Sequence, residues 1–321
     1  MTTIARRSIL AATLAAPALA QAQDNWPNRP VRIIIPAAPG GSNDAVGRPL
    51  AERMQQILGQ PVVIDNRAGA GGVIGANEVA RARPDGHTLM IHSSSFATAS
   101  AVQRTPYDAT KDFTAVALLA VAPMLIVAAP QLPITDMNGL LAMARAGGRT
   151  LDYGSSGPGG INHMATELLA QTAGLQFQHV PYRGMGPAMT DLVAGNVQFI
   201  VTSLPSAGGL IRDNRVKLLA WTQEGRPPGT PDAPTVKQAT GLDFEMGIWW
   251  GMMAPAGLPP AVLARLSAAV NEGMSDTRLV TNLAGEGAVA QTRSPEYFHD
   301  YLQNELARWR RVAATGRISV D

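Results

Sequence analysis

The densest apolar stretches of this chain are short and alternate with glycine-rich turns. Residues 31–35 (V-R-I-I-I) are apolar on nearly successive positions, which predicts a strand buried on both faces, as in a parallel sheet. A turn carrying Pro36, Pro39, Gly40 and Gly41 follows. It opens into a helix starting at Ser42, Asn43 and Asp44, with Leu50, Met54, Ile57 and Leu58 on one stripe and Gly59 as its stop. Pro49 predicts a kink there, with the second half of the helix starting near Arg48. Strand 62–65, glycine turn 66–75, helix 76–83 and strand 88–92 complete a β-α-β-α-β run, the pattern of an α/β layered domain.

The same order returns downstream. Strand 150–153, a second glycine loop, helix 162–172, strand 176–180, helix 187–194 and strand 197–201 repeat it after a helix at 137–146. Residues 113–127 read as one or two long apolar strands around Pro123 that carry the chain between domains, and 244–253, after a strand at 216–221, reads as the return crossing. Helices 260–274 and 295–315 flank a short strand at 288–291 and have no sheet of their own. The expected organisation is two α/β lobes of βαβ type: lobe 1 from 23–124 and 249–321, lobe 2 from 125–248.

Composition narrows the function. The first 22 residues hold Arg6 and Arg7, an apolar run, and small-residue cleavage sites at Ala18-Leu19-Ala20 and Ala20-Gln21-Ala22, the pattern of a cleavable export signal. The paired arginines leave the twin-arginine route open beside the general secretory route, which is the expectation. Removing residues 1–22 takes away two of the 26 basic residues and none of the 24 acidic ones, so the mature charge balances and nothing points to nucleic acid. No later apolar run is long enough to span a bilayer. With 0 cysteines, disulfides, thiolate catalysis and cysteine-zinc sites are excluded. A periplasmic location fits.

Candidate chemistry sits at strand ends, because open α/β sheets bind ligands beyond the carboxyl ends of their strands. The Gly40-Gly41 turn brings backbone N–H groups and a positive helix end close to a guest, which suits an anion. Ser94 and Ser95 leave the strand at 88–92, Tyr182 and Arg183 leave that at 176–180, and Ser203 follows that at 197–201. Arg183 reads equally as a partner for a ligand carboxylate and as a solvated rim charge. The turn Gly69 to Gly75 resembles a dinucleotide fingerprint, but Ile74 stands at the third glycine position, so it reads as a packing turn. Gly154-Ser155-Ser156-Gly157-Pro158 lacks the last glycine of a nucleophile elbow, and no acid and histidine pair with it. His87, His92, His163, His179 and His299 are scattered and make no zinc site; His163, opening the helix behind the second loop, keeps a minor contact role. Trp249 and Trp250 read as core and hinge packing. No metal or cofactor is expected.

Several segments in order, P-V-R-I-I-I-P-A-A-P-G-G-S-N-D, V-I-D-N-R-A-G-A-G-G-V-I-G, P-D-G-H-T-L-M, Y-G-S-S-G-P-G-G, V-P-Y-R-G-M-G-P-A-M-T-D-L and G-M-M-A-P-A-G-L-P, resemble the periplasmic solute receptors of the tripartite tricarboxylate transporter system, also called Bug proteins. The resemblance implies a type II periplasmic binding fold, two lobes on a hinge that close like a Venus flytrap on a small carboxylate and deliver it to a membrane permease with a large and a small subunit. It also implies two carboxylate-gripping loops, Pro39, Gly40, Gly41, Ser42, Asn43 and Asp44 in the first, and Tyr153, Gly154, Ser155, Ser156, Gly157 and Gly159 in the second. The expected ligand is a di- or tricarboxylate, an acidic amino acid or an aromatic acid, and the receptor is expected to be a monomer. The family's usual V-D-x-x-F-D is here Val197-Gln198-Phe199-Ile200-Val201-Thr202, so Gln198 and Thr202 replace two carboxylates, and the wall of the cleft is less acidic if either lines it. A ligand sensor feeding a kinase, or an enzyme on the same scaffold, are the alternatives; without cysteine or a histidine-carboxylate cluster the enzyme is disfavoured.

Overall fold

The computed structural model describes residues 26–147, 150–285, 287–316 and 318; the expected export signal lies outside them. Strand β1 (Val31–Ile35) is central because Ile33, Ile34 and Ile35 are fully buried. It pairs in parallel with β2 (Val62–Asn66) and β3 (Thr88–Ser93). Strands β4 (Phe113–Pro123), β10 (Gly247–Pro255) and β11 (Val289–Ala290) extend this sheet to the order β11-β4-β10-β3-β1-β2, with β10 antiparallel to both β3 and β4. The second sheet runs β7 (Gln178–Pro181), β6 (Asp152–Ser155), β8 (Phe199–Thr202), β5 (Leu125–Ala128), β9 (Lys217–Trp221). Within it β6 is parallel to β7 and β8, while β5 is antiparallel to β8 and β9.

Helices α1 (Ser42–Leu58), α2 (Val73–Ala80) and α3 (Ser95–Val102) follow β1, β2 and β3. In the second half come α4 (Met137–Arg145), α5 (Ile161–Ala173), α6 (Met185–Ala194), α7 (Leu204–Arg212) and α8 (Val236–Thr240). Then α9 (Pro260–Met274), α10 (Thr277–Gly285) and α11 (Pro295–Gly316) return to the first sheet. Glu305 of α11 accepts from the indole N–H of both Trp249, at 3.1 Å, and Trp309, at 3.2 Å, pinning that helix to the return strand.

Pro49 does not divide α1. The helix is continuous from Ser42 to Leu58, and Val46, Leu50, Met54 and Leu58 are buried along it. Four such side chains at about 1.5–3 kcal/mol each outweigh the roughly 3 kcal/mol of an interior proline. Four helices that the hydrophobic pattern did not signal, α3, α7, α8 and α10, are present as well.

The chain crosses between the sheets twice, once where β4 gives way to β5 at Met124 and once between β9 and β10. Thr222 ties the two crossings together. Its Oγ1 accepts the Met124 N–H at 2.8 Å and lies 2.6 Å from the Met246 carbonyl, to which it donates, and its own N–H donates to the Met124 carbonyl at 2.9 Å. The residue is fully buried. This topology sets the carboxyl ends of β1, β2 and β3 against those of β6, β7 and β8 across a cleft.

Candidate functional site

Six helices start at that cleft, and none of them carries a side-chain cap. The N-cap residues of α1, α2, α3, α5, α6 and α7 are Gly41, Gly72, Ser94, Gly160, Gly184 and Ser203, and none of their side chains accepts a first-turn N–H of its own helix. Four of the five described helices that open elsewhere are finished differently, the exception being α9, whose N-cap Pro259 makes no side-chain bond either. Asp136 caps α4, Thr235 caps α8 in a reciprocal box with Gln238, Asp276 accepts from Arg278 and Leu279 at the start of α10, and Ser294 accepts from Tyr297 in α11. An uncapped helix start leaves first-turn N–H groups in want of an acceptor and presents the positive end of the dipole. Some of these donors are already engaged: Ile161 N–H donates to Ser95 Oγ at 3.0 Å, and Ser95 N–H reaches Ser93 Oγ only at 3.4 Å.

The cavity in the cleft has a volume of about 290 Å³. Hydroxyl and amide side chains (Ser42, Asn43, Ser93, Asn162 and Ser206 among them) share its wall with Ile161, Met185 and Ile248. Arg183 is the cationic side chain of the wall, and no aspartate or glutamate lines it. His92 also lines it, with burial pushing its imidazole down to about 3, so the ring is neutral at any physiological pH. The field in the chamber therefore favours an anion.

The lobes touch beside the cavity. Gln103 Nε2 donates to the Pro158 carbonyl at 2.6 Å, and a Cβ placed on Gly71 would lie 2.5 Å from that same oxygen. Gly71 is in the left-handed region at φ +64, so glycine is required there both by the backbone and by the approach of the opposite loop.

Of the residues expected at the site, Gly41, Ser42, Asn43, Ser95, Ser156, Gly157, Tyr182, Arg183 and Ser203 line the cavity. Pro39, Gly40, Asp44, Ser94, Tyr153, Gly154, Ser155 and Gly159 do not. Pro39 and Gly40 sit on the exposed outside of the first turn. Asp44 is buried and pairs with Arg48 at 2.6 Å while accepting from Asn66 Nδ2 at 3.2 Å, so its carboxylate braces the turn. Ser94 Oγ accepts the Trp249 N–H at 2.9 Å, fixing the return strand. Tyr153 is fully buried with its hydroxyl donating to Glu167 at 2.6 Å, a partner that together with burial raises its pKa well above the usual tyrosine value. Gly154 lets Ile200 approach, since a Cβ would lie 3.0 Å from its Cδ1.

Ser155 and Gly159 act behind the second loop rather than in it. Ser155 Oγ lies 2.6 Å from His179 Nε2 and accepts the Gly157 N–H at 3.1 Å. Gly159 N–H donates to His163 Nδ1 at 3.0 Å, and the His163 and His179 rings stack with centroids 4.0 Å apart. Burial lowers both imidazoles, to about 3 and about 4. His163 thus holds the loop without lining the cavity. Trp249 and Trp250 are buried and outside the wall, although Trp250 Nε1–H donates to Ser42 Oγ at 3.3 Å. Gln198 and Thr202 do not line the cavity either: Gln198 Oε1 accepts the Asp152 N–H at 2.8 Å, and Thr202 is fully buried on β8. Their replacement of carboxylates leaves the cavity wall unaltered. Among the described residues, no group of three or more histidines, aspartates or glutamates is placed to hold a metal ion.

Among the parts of the wall that escaped the sequence reading, two lie at strand ends. The turn Ala68 to Gly72, set aside as packing, forms one side of the cavity, and His92 forms another. Both follow or end strands of the parallel set, so the strand-end rule that singled out Ser95 and Tyr182 would have reached them too.

Residues 46–316 match the model of the tripartite tricarboxylate transporter family receptor. The protein BugT of Bordetella pertussis is 33% identical over 304 residues, covering 94% of this chain and 92% of BugT. Among solved structures, the periplasmic binding protein BugD aligns over 92% of this chain and 99% of its own, with TM-score 0.87 and 31% identity. The Rhodopseudomonas palustris protein Rpa4515, solved with adipate, aligns over 92% and 99% with TM-score 0.88 and 33% identity. MatC from the same organism, with bound malate, aligns over 89% and 99% with TM-score 0.85 and 34% identity. With this coverage, two lobes on the periplasmic binding fold and the sequence segments in register, the chain belongs to the tripartite tricarboxylate transporter receptor family.

Proposed function

We propose that this protein is a periplasmic receptor that captures a small carboxylate between its lobes and delivers it to a tripartite tricarboxylate-type permease. The observation that carries the reading is the ring of six helix starts, all without a side-chain cap, around a chamber whose wall holds Arg183 and no carboxylate. The adipate and malate bound by Rpa4515 and MatC support an aliphatic dicarboxylate as the ligand class. Lobe 1 (23–124 and 249–321) would grip it through the N–H groups and hydroxyl of Ser42 and Asn43 and through Ser95. Lobe 2 (125–248) would grip it through Ser156, Gly157, Tyr182, Arg183 and Ser203. A ligand that touches both walls stabilises the closed form by its higher affinity for that form, and closure is what a permease can read.

A thermal-shift screen of mono-, di- and tricarboxylates tests this. Ligand at 100 times its Kd adds about 2.7 kcal/mol to the folded state. At roughly 2–4 °C per kcal/mol for a chain of this size, the melting temperature rises by about 5–10 °C. No rise with any carboxylate, or consumption of one of them, would contradict the receptor reading.

A further inference from the structure

His92 is the penultimate residue of β3, 2% exposed, and its ring lines the cavity. Its Nδ1 accepts the N–H of Ser93 at 2.9 Å, which assigns the proton of the neutral ring to Nε2. The Nε2 edge faces the turn at Gly72, where a Cβ would lie 2.3 Å away, so the turn passes over the ring only because Gly72 is glycine at φ +104. No acceptor among the described residues meets Nε2. Phe96 of α3 packs edge-on to the ring at 6.0 Å. An N–H donor without an acceptor, held rigidly in the wall of a chamber built of donors, calls for an acceptor on the guest.

Its place in the sheet gives the contact a distinct target. β3 neighbours β1, with Ile34 opposite Met90, and continuing that register sets His92 beside Pro36, just before the first loop. Ser42 and Asn43 at the start of α1 and His92 all line the same cavity of about 290 Å³. A carboxylate held at the start of α1 can therefore present a second oxygen group to His92. Resting on the receptor reading above, we propose that His92 Nε2–H donates to the second carboxylate of the ligand and so selects dicarboxylates over monocarboxylates of the same chain length.

The groups packed around His92 are Phe96 from α3, Gly72 from the turn after β2, Gly251 opposite it on β10 and its neighbour Ser93; none is charged, and Arg183 is the charged side chain of the cavity wall. Without ligand nothing favours the imidazolium. With a carboxylate on Nε2 the ring still stays neutral, because the second proton of an imidazolium would fall on Nδ1, which already accepts the Ser93 N–H at 2.9 Å.

Calorimetric titration of the wild type, His92→Phe and His92→Gln with adipate, succinate, hexanoate and butyrate tests the proposal. The wild type should prefer each diacid to its monoacid. His92→Phe, which keeps the ring and loses the donor, should bind the diacids about tenfold or more weakly and the monoacids within about twofold of wild type. His92→Gln, which restores an N–H, should recover part of the loss. In histidine-labelled wild type, adipate should shift the His92 Nε2 resonance, a readout that holds even where a variant folds poorly. If the wild type binds none of the four acids, the aliphatic dicarboxylate reading on which the His92 proposal rests fails, and the proposal with it. If it binds adipate while the His92 resonance stays put, or His92→Phe weakens both classes equally or neither, the His92 assignment is overturned and the receptor reading stands.

Discussion

Replacing Gly71 with alanine should hold the lobes apart. Two costs are separable there. The backbone at φ +64 and ψ 15 is left-handed, which for a residue with a Cβ costs about 1–2 kcal/mol whether the cleft is open or closed. The new Cβ would also stand 2.5 Å from the Pro158 carbonyl oxygen and 3.5 Å from Gly160 N, both on the opposite lobe. A relaxed carbon-oxygen contact is about 3.3 Å, so the loops must separate by roughly 0.8 Å. Overpacking of this kind costs about 1–3 kcal/mol, and here it falls on the closed form alone. On the proposed capture of ligand by the closed form, affinity should drop by about 5- to 150-fold. Gly59→Ala is the matched control: its φ is +68 with nothing within 4 Å of the added Cβ, so it bears the backbone cost without the clash. Both variants should melt about 2–8 °C lower than wild type, and only Gly71→Ala should lose affinity by calorimetry. Equal affinities for the two variants would refute the reasoning that the Gly71 and Pro158 contact belongs to the ligand-bound state.

Other expectations follow from the same contacts. Thr222→Val leaves the buried Met124 N–H without its side-chain acceptor at the hinge, and should cost about 1–3 kcal/mol in urea unfolding at an unchanged m-value. Asp44→Ala removes the brace between Arg48 and Asn66 and should cost about 1.5–3 kcal/mol, with ligand affinity changing less than about threefold. His92, His163 and His179 are neutral in the folded protein down to about pH 3–4, whereas in the unfolded chain they take up protons near pH 6.5. The unfolded state then binds more protons, so stability falls as pH drops below about 6.5, by up to about 1.4 kcal/mol per pH unit for each histidine. Melting curves from pH 7 to pH 5 should show the decline, and His163→Phe with His179→Phe, where it folds, should flatten it.

The parts of the fold that were legible in sequence are those where one local preference decides. Val31 to Ile35 reads as a buried strand because no polar residue interrupts its isoleucines, and Gly59 ends α1 because its left-handed φ of +68 suits glycine. Helix α3 was hidden because Ser95, Phe96, Ala97, Thr98 and Ala99 are all buried, which leaves no amphipathic stripe to detect. Helix α7 was hidden by Pro205, Gly208 and Gly209, residues of low helix propensity that tertiary packing overrides.

The candidate site was legible at the level of loops and not of side chains. Both glycine loops reach the cavity, yet Tyr153 and Ser155 belong to strand β6 and turn toward Glu167 and His179 behind the loop. Which hydroxyl of Ser155 and Ser156 meets the chamber depends on where the strand ends. The structure ends it at Ser155, and only then is Ser156 free to line the wall. Asp44 was expected among the gripping residues and instead braces the turn, while the 68–72 turn was judged against a dinucleotide fingerprint and its place at a strand end was overlooked.

The central claim is that the six helix starts form one anion site between the lobes. Calorimetric titration of the purified protein with adipate and with malate, repeated on Gly157→Val, tests it most directly. Gly157 lines the cavity at φ +126, with Gly71 N 3.5 Å from the position of its Cβ, so a valine there obstructs both the wall and the approach of the lobes. The account predicts one saturable site per chain for at least one of the two acids, lost in Gly157→Val. Wild-type protein that binds neither acid, or a Gly157→Val variant that binds as tightly as wild type, would contradict it.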